Sequence, residues 1–118
     1  MKVRRGDVVL VDYPYSDRTG SKIRPCLIVQ ADHNNQRLDD TIVVTISSRS
    51  PQANDPTQLL VDLATPVGQQ SGLLFTSVIQ CANILTVDCD FIIRKIGTLP
   101  ADSMQRVNDC LKAALEIA

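Results

Sequence analysis

Two stretches decide the fold, "RPCLIVQ" at residues 24–30 and "TIVVTISSR" at residues 41–49. Each holds a short unbroken run of apolar and β-branched residues, too short for a helix and the right length for a buried strand. Pro25 sits at the start of its run, where a missing N–H is tolerated. Arg24, the residue before that proline, is pushed into an extended conformation. The polar stretch "ADHNNQRLDD" joins the two runs. Upstream, "GDVVLVDYP" (residues 6–14) reads as a strand stopped by Pro14, and "YSDRTGSK" as a turn-rich loop. Downstream, "SPQANDP" breaks the chain and "TQLLVDL" (residues 57–63) is a short strand. "ATPVGQQSG" is a further loop. Residues 73–88 hold one or two more strands, and "FIIRKIGTL" adds another. The period changes only at the end, where Met104, Val107, Leu111 and Leu115 recur at helical spacing. Pro100 suits a helix start, and Asp102 complements the positive end of its dipole. The expectation is a mainly β chain, a small antiparallel barrel or curled sheet closed by one helix over residues 101–117.

Composition narrows the function classes. The chain has 118 residues, enough for one domain with one core, and 44% of them are hydrophobic, too many for disorder. No apolar run approaches the roughly 18 residues of a membrane-spanning helix. The start, "MKVRRGDVVL", has no signal-peptide pattern, so a cytoplasmic location is expected. Cys26, Cys81, Cys89 and Cys110 form no C-x-x-C pair, and with the single His33 they lack zinc-site spacing. They read as small apolar residues in a reducing compartment. A net charge of −1 argues against charge-driven, non-specific nucleic-acid binding and leaves room for a local basic site. Basic residues cluster at Lys2, Arg4 and Arg5, at Arg18, Lys22 and Arg24, and at Arg94 and Lys95.

Arg24 is the first candidate for chemistry. A planar, permanently charged fork held stiffly at a strand mouth suits phosphate. The plain alternative is a surface arginine paired with a loop carboxylate such as Asp17. The hydroxyls of "ISSRS" are the second candidate. By strand alternation Ser47 shares a face with Thr45 and Val43. The plain alternative there is a turn cap. No G-x-S-x-G, H-E-x-x-H, P-loop or G-x-G-x-x-G is present.

The ordered segments "RGDVVLVDYP", "GSKIRPCLIV", "TIVVTIS", "SVIQCANILTVD" and "IGTL" resemble the MazF/PemK family of toxin ribonucleases. The resemblance covers nearly the whole chain, read as one domain over residues 1–118. It implies an SH3-like barrel with a C-terminal helix, a homodimer, and a cognate antitoxin as partner. It implies sequence-specific, metal-independent cleavage of single-stranded RNA, with no cofactor and no membrane. The family's catalytic arginine falls on Arg24, and its hydroxyl position on Ser47. RNA-binding positions fall on Tyr15, Arg18, Ser21, Lys22, Ser48, Arg49, Gln80 and Asn83, with Tyr15 the best stacking candidate. Many relatives carry a glutamate where this chain has Thr19, so Asp17 becomes the nearest candidate general base, with His33 a weaker one. Relatives also often carry an acidic residue, a glutamine and a basic residue where this chain has Ala82, Asn83 and Leu85. Two other readings remain beside the ribonuclease: a non-enzymatic gyrase poison resembling CcdB on the same barrel, and a catalytically decayed binding homologue.

Overall fold

The fold is described from a computed structural model, over residues 2–14, 21–49 and 54–118. Six strands form one antiparallel sheet: β1 (Asp7–Pro14), β2 (Ser21–Ile28), β3 (Asp40–Ser47), β4 (Gln58–Val61), β5 (Ser77–Asp88) and β6 (Ile92–Thr98). Their spatial order is β4-β5-β3-β2-β1-β6. Three helices join them: α1 (Asp32–Arg37), α2 (Pro66–Ser71) and α3 (Ala101–Leu115).

The unbroken apolar runs have a direct explanation. Neighbouring residues of the central strands go to opposite faces, and both faces are covered. Val8, Leu27, Val44 and Ile46 join Ile79 and Cys81 under Met104, Val107 and Cys110 of α3. Val9, Ile28 and Val43, one residue away on the same strands, join Val11, Cys26, Val87 and Ile92 on the other side. A strand buried on both faces has no polar alternation to show.

Two expectations need correction. The stretches expected as plain connections contain α1 and α2, so the described residues hold three α-helices where one was expected. Both extra helices join antiparallel neighbours or near-neighbours and are only six residues long. The sheet also curls without closing, because its order leaves β4 and β6 as edges. The reason is α2. A Cβ on Gly68 would collide with the backbone of Asp62 and Leu63 just after β4, and one on Gly97 of β6 would collide with Ser71 of α2. The helix therefore fills the seam where β4 and β6 would have to pair. The overall likeness to an SH3-like barrel survives as an open, curled sheet with a terminal helix.

Candidate functional site

The β2–β3 ladder pairs Ile28 with Val43, Leu27 with Val44 and Cys26 with Thr45. It ends there, next to Pro25, which has no N–H to offer. Carried two residues further, the same register sets Arg24 opposite Ser47. Both lie on the Cys26–Thr45 face, because residues two apart on a strand share a face. Two residues that stand 23 positions apart in sequence thus come to one cleft just beyond the last paired residues of the ladder. Burial pushes the Cys26 thiol up to about 12, against the pull of the Arg24 guanidinium nearby. The inner neighbour of Arg24 is accordingly a neutral group.

Arg24, midway along β2, and Ser47, at the end of β3, line a cleft of about 470 Å³ that opens where the β2–β3 ladder stops. Its apolar wall is Leu10, Pro25, Ile46, Leu73 and Ile96. Its cations are Lys22, Arg24, Arg49 and Arg94, and its hydroxyls are Ser47, Ser48 and Ser77. No carboxylate is among the described residues that line it. The rim carries apolar side chains in the open: Ile23 is 56% exposed, Leu74 82% and Phe75 66%. Ser47 Oγ accepts a long bond from the Arg49 N–H at 3.3 Å, which leaves its own proton available to an incoming acceptor.

Of the residues expected from sequence, the structure brings Lys22, Arg24, Ser47, Ser48 and Arg49 into this one cleft. Gln80 and Asn83 are not among the residues that line it; both bond to Thr45, two residues before Ser47 on β3. Tyr15, Asp17, Arg18 and Thr19 fall outside the described residues, as does the side chain of Ser21. His33 belongs to α1, which connects the far ends of β2 and β3. The second half of β2 and the turn after it separate it from Arg24, and it does not line the cleft, so it is withdrawn as a base. Ala82 is exposed, while Leu85 packs against the second core cluster, where a basic residue would have no place. Arg94 and the 72–77 segment were not expected in the site. Arg94 pairs with Leu10 across β1 and β6. Only that register, invisible in a linear reading, carries it to the cleft.

The fold and site define a β protein: an open antiparallel sheet with a terminal helix and a cationic, hydroxyl-bearing cleft between β2 and β3. Comparison with known families then makes the assignment. The model of the PemK-like, MazF-like toxins of type II toxin–antitoxin systems matches residues 4–115, and the chain belongs to that family. It is 30% identical over 118 residues to endoribonuclease EndoA of Bacillus subtilis (strain 168), covering 99% of this chain and 97% of that one. The fold is similar to a mycobacterial endoribonuclease solved in complex with its cognate antitoxin, with TM-score 0.78 and 22% identity over 98% of this chain and 97% of that one. It is also similar to MazE–MazF from Deinococcus radiodurans, with TM-score 0.77 and 16% identity over the full length of both chains.

Proposed function

We propose that this protein is a toxin endoribonuclease that cleaves single-stranded RNA. The observation that carries the reading is the charge of the cleft. A chain with 12 basic and 13 acidic side chains places four basic ones and no described acidic one around a single opening. That is a site for a polyanion, and family membership makes RNA the polyanion. The name of the Bacillus relative supports cleavage over the gyrase-poison alternative.

In the proposed reaction the 2′-hydroxyl attacks the adjacent phosphorus and the 5′-oxygen of the next nucleotide leaves. The products are a 2′,3′-cyclic phosphate and a 5′-hydroxyl. Negative charge grows on the phosphorane oxygens, and Arg24 meets it with two parallel donors. Its pKa above ~12 makes it a poor acid, so charge stabilisation is its first role and proton delivery its second. Ser47 holds a phosphate oxygen with its free proton. Asp17 remains the candidate base for the 2′-hydroxyl. Lys22, Arg49 and Arg94 hold neighbouring phosphates.

The reading extends to a cytoplasmic protein, to a homodimer that covers part of the open sheet edges, and to a cognate antitoxin that occupies the cleft. The exposed Ile23, Leu74 and Phe75 beside four cations suit an antitoxin segment that is both apolar and acidic. The test is incubation of purified protein with single-stranded RNA in EDTA, with analysis of the fragment ends. Cyclic-phosphate and 5′-hydroxyl ends are expected. Intact RNA, or 5′-phosphate ends, would refute the scheme.

A further inference from the structure

Thr45 is a hydroxyl in an otherwise apolar position. It lies on β3 opposite Cys26, beside Val43 on the same face, and is only 6% exposed. Its Oγ1 donates to Gln80 Oε1 at 2.8 Å and accepts from Asn83 Nδ2 at 3.1 Å. A threonine hydroxyl has one proton, and here Gln80 takes it. The bond directions therefore fix both amides. Gln80 turns its carbonyl toward Thr45 and presents its NH₂ group elsewhere. Asn83 turns its NH₂ group toward Thr45 and presents its carbonyl. Among the described residues neither outward group has a protein hydrogen-bond partner.

The backbone is bent to make this arrangement. On a regular strand, residues three apart point to opposite faces. Between Gln80 and Ile84 the β3–β5 register shifts, because Thr45 pairs with Gln80 while Val44 pairs with Ile84. The bulge turns Asn83 back to the face of Gln80, so both reach the same hydroxyl. Bulges of this kind re-aim side chains next to working sites. Thr45 stands two residues from Ser47 on the face that Arg24 and Ser47 share, which sets the pair beside the proposed phosphate position.

We propose that Thr45 is a positioning residue for a base-reading pair. The Gln80 NH₂ group donates to an acceptor on the edge of one unpaired base, and the Asn83 carbonyl accepts from a donor on that same edge. The inference rests on the ribonuclease reading and assigns to it a specificity element. Splayed bases of single-stranded RNA are read on their edges by such pairs.

The experiment sequences the 5′ ends left in a random-sequence RNA pool. Wild type, Thr45→Val, Thr45→Ser, Gln80→Leu and Asn83→Ala are compared. Thr45→Val keeps the shape and removes both bonds. It is expected to lower base discrimination at one position of the cleavage motif about tenfold or more, the range of a lost bidentate contact. Gln80→Leu and Asn83→Ala should relax that same position, and Thr45→Ser should restore it. Asn83 is exposed, so its variant reports even if Thr45→Val folds poorly. A wild-type motif retained by Gln80→Leu and Asn83→Ala, with cleavage intact, would overturn this inference and leave the ribonuclease reading standing. A pool left uncut by the wild type would overturn both.

Discussion

At the residue scale, Arg24 owes its position to its neighbour. Pro25 holds the chain extended and the β2–β3 ladder stops beside it, so the half-buried Arg24 stays paired with Val11 of β1 within β2 but has no partner in the ladder to β3. Arg24→Ala should therefore abolish RNA cleavage without unfolding the protein. Arg24→Lys keeps the charge and loses the planar fork, and should still be slowed roughly a hundredfold, the typical cost of one preorganised donor. Ser47→Ala should cost less than Arg24→Ala, because a neutral hydroxyl makes a weaker bond than a guanidinium. Ser47→Thr should be tolerated. Cleavage rates in EDTA, with circular dichroism as the folding control, decide these cases. If Arg24→Ala cleaves at the wild-type rate, the phosphate-facing role of this arginine is wrong.

At the scale of elements, α2 shapes the cleft. Its N-terminus is capped by Thr65, whose side chain accepts from the Gly68 N–H, and Pro66 occupies the first turn. It ends at Gly72, which takes the left-handed conformation with φ 74°. The chain then turns into Leu73, Leu74 and Phe75, the apolar wall and rim of the cleft. Gly97 lets α2 sit directly on β6. Gly97→Ala forces backbone apart from backbone, and should destabilise by about 3 kcal/mol, at the high end for single substitutions. A urea unfolding curve with an unchanged midpoint would show that the seam relaxes freely. The same helix shows what a linear reading can and cannot see. The strands were legible because their apolar runs are continuous. α3 was legible because fifteen residues give a period time to appear. Six residues do not, so α1 and α2 were missed. The Thr–Pro start and Gly end of α2 were a usable signal, read instead as loop composition. Arg24 and Ser47 were legible through their resemblance to a family motif. Arg94 was not, because only the β1–β6 register brings it near.

At the scale of the whole molecule, two properties follow from how charge and polarity are distributed. The first concerns the buried thiols. Burial pushes Cys26 and Cys81 from the ordinary 9.0 up to about 12. In the unfolded chain they lose their protons near pH 9, while in the folded protein they keep them. Above that pH the folded state binds more protons than the unfolded one, so stability falls as pH rises. The loss should begin near pH 9 and continue toward pH 12. Cys26→Ala should shallow this alkaline slope, measured by urea unfolding at a series of pH values. An unchanged slope would mean that Cys26 is not held neutral by the fold.

The second property is the separation of cleft charge from net charge. The chain is acidic overall, which from sequence alone suggests that its partners are held mainly by apolar contact. The cleft reverses that expectation locally, with Lys22, Arg24, Arg49 and Arg94 around one opening. Each phosphate neutralised by such a side chain releases counterions, and for single strands the logarithm of affinity falls by about 0.7 per contact for each logarithm of salt. Four contacts give a slope close to −3. Arg94→Ala should make the slope shallower by about 0.7 and weaken binding evenly across RNA sequences, since a phosphate contact carries no base information. Thr45→Val should do the opposite, changing sequence preference and leaving the slope alone. Fluorescence anisotropy of a labelled single-stranded RNA in EDTA, with Arg24→Ala as the non-cleaving background, measures both. In that background three cations remain and the reference slope is about −2, so the Arg94 effect is read against it. A slope near zero would place the RNA elsewhere on the molecule, and would remove the cationic cleft as the reason for assigning RNA to this site.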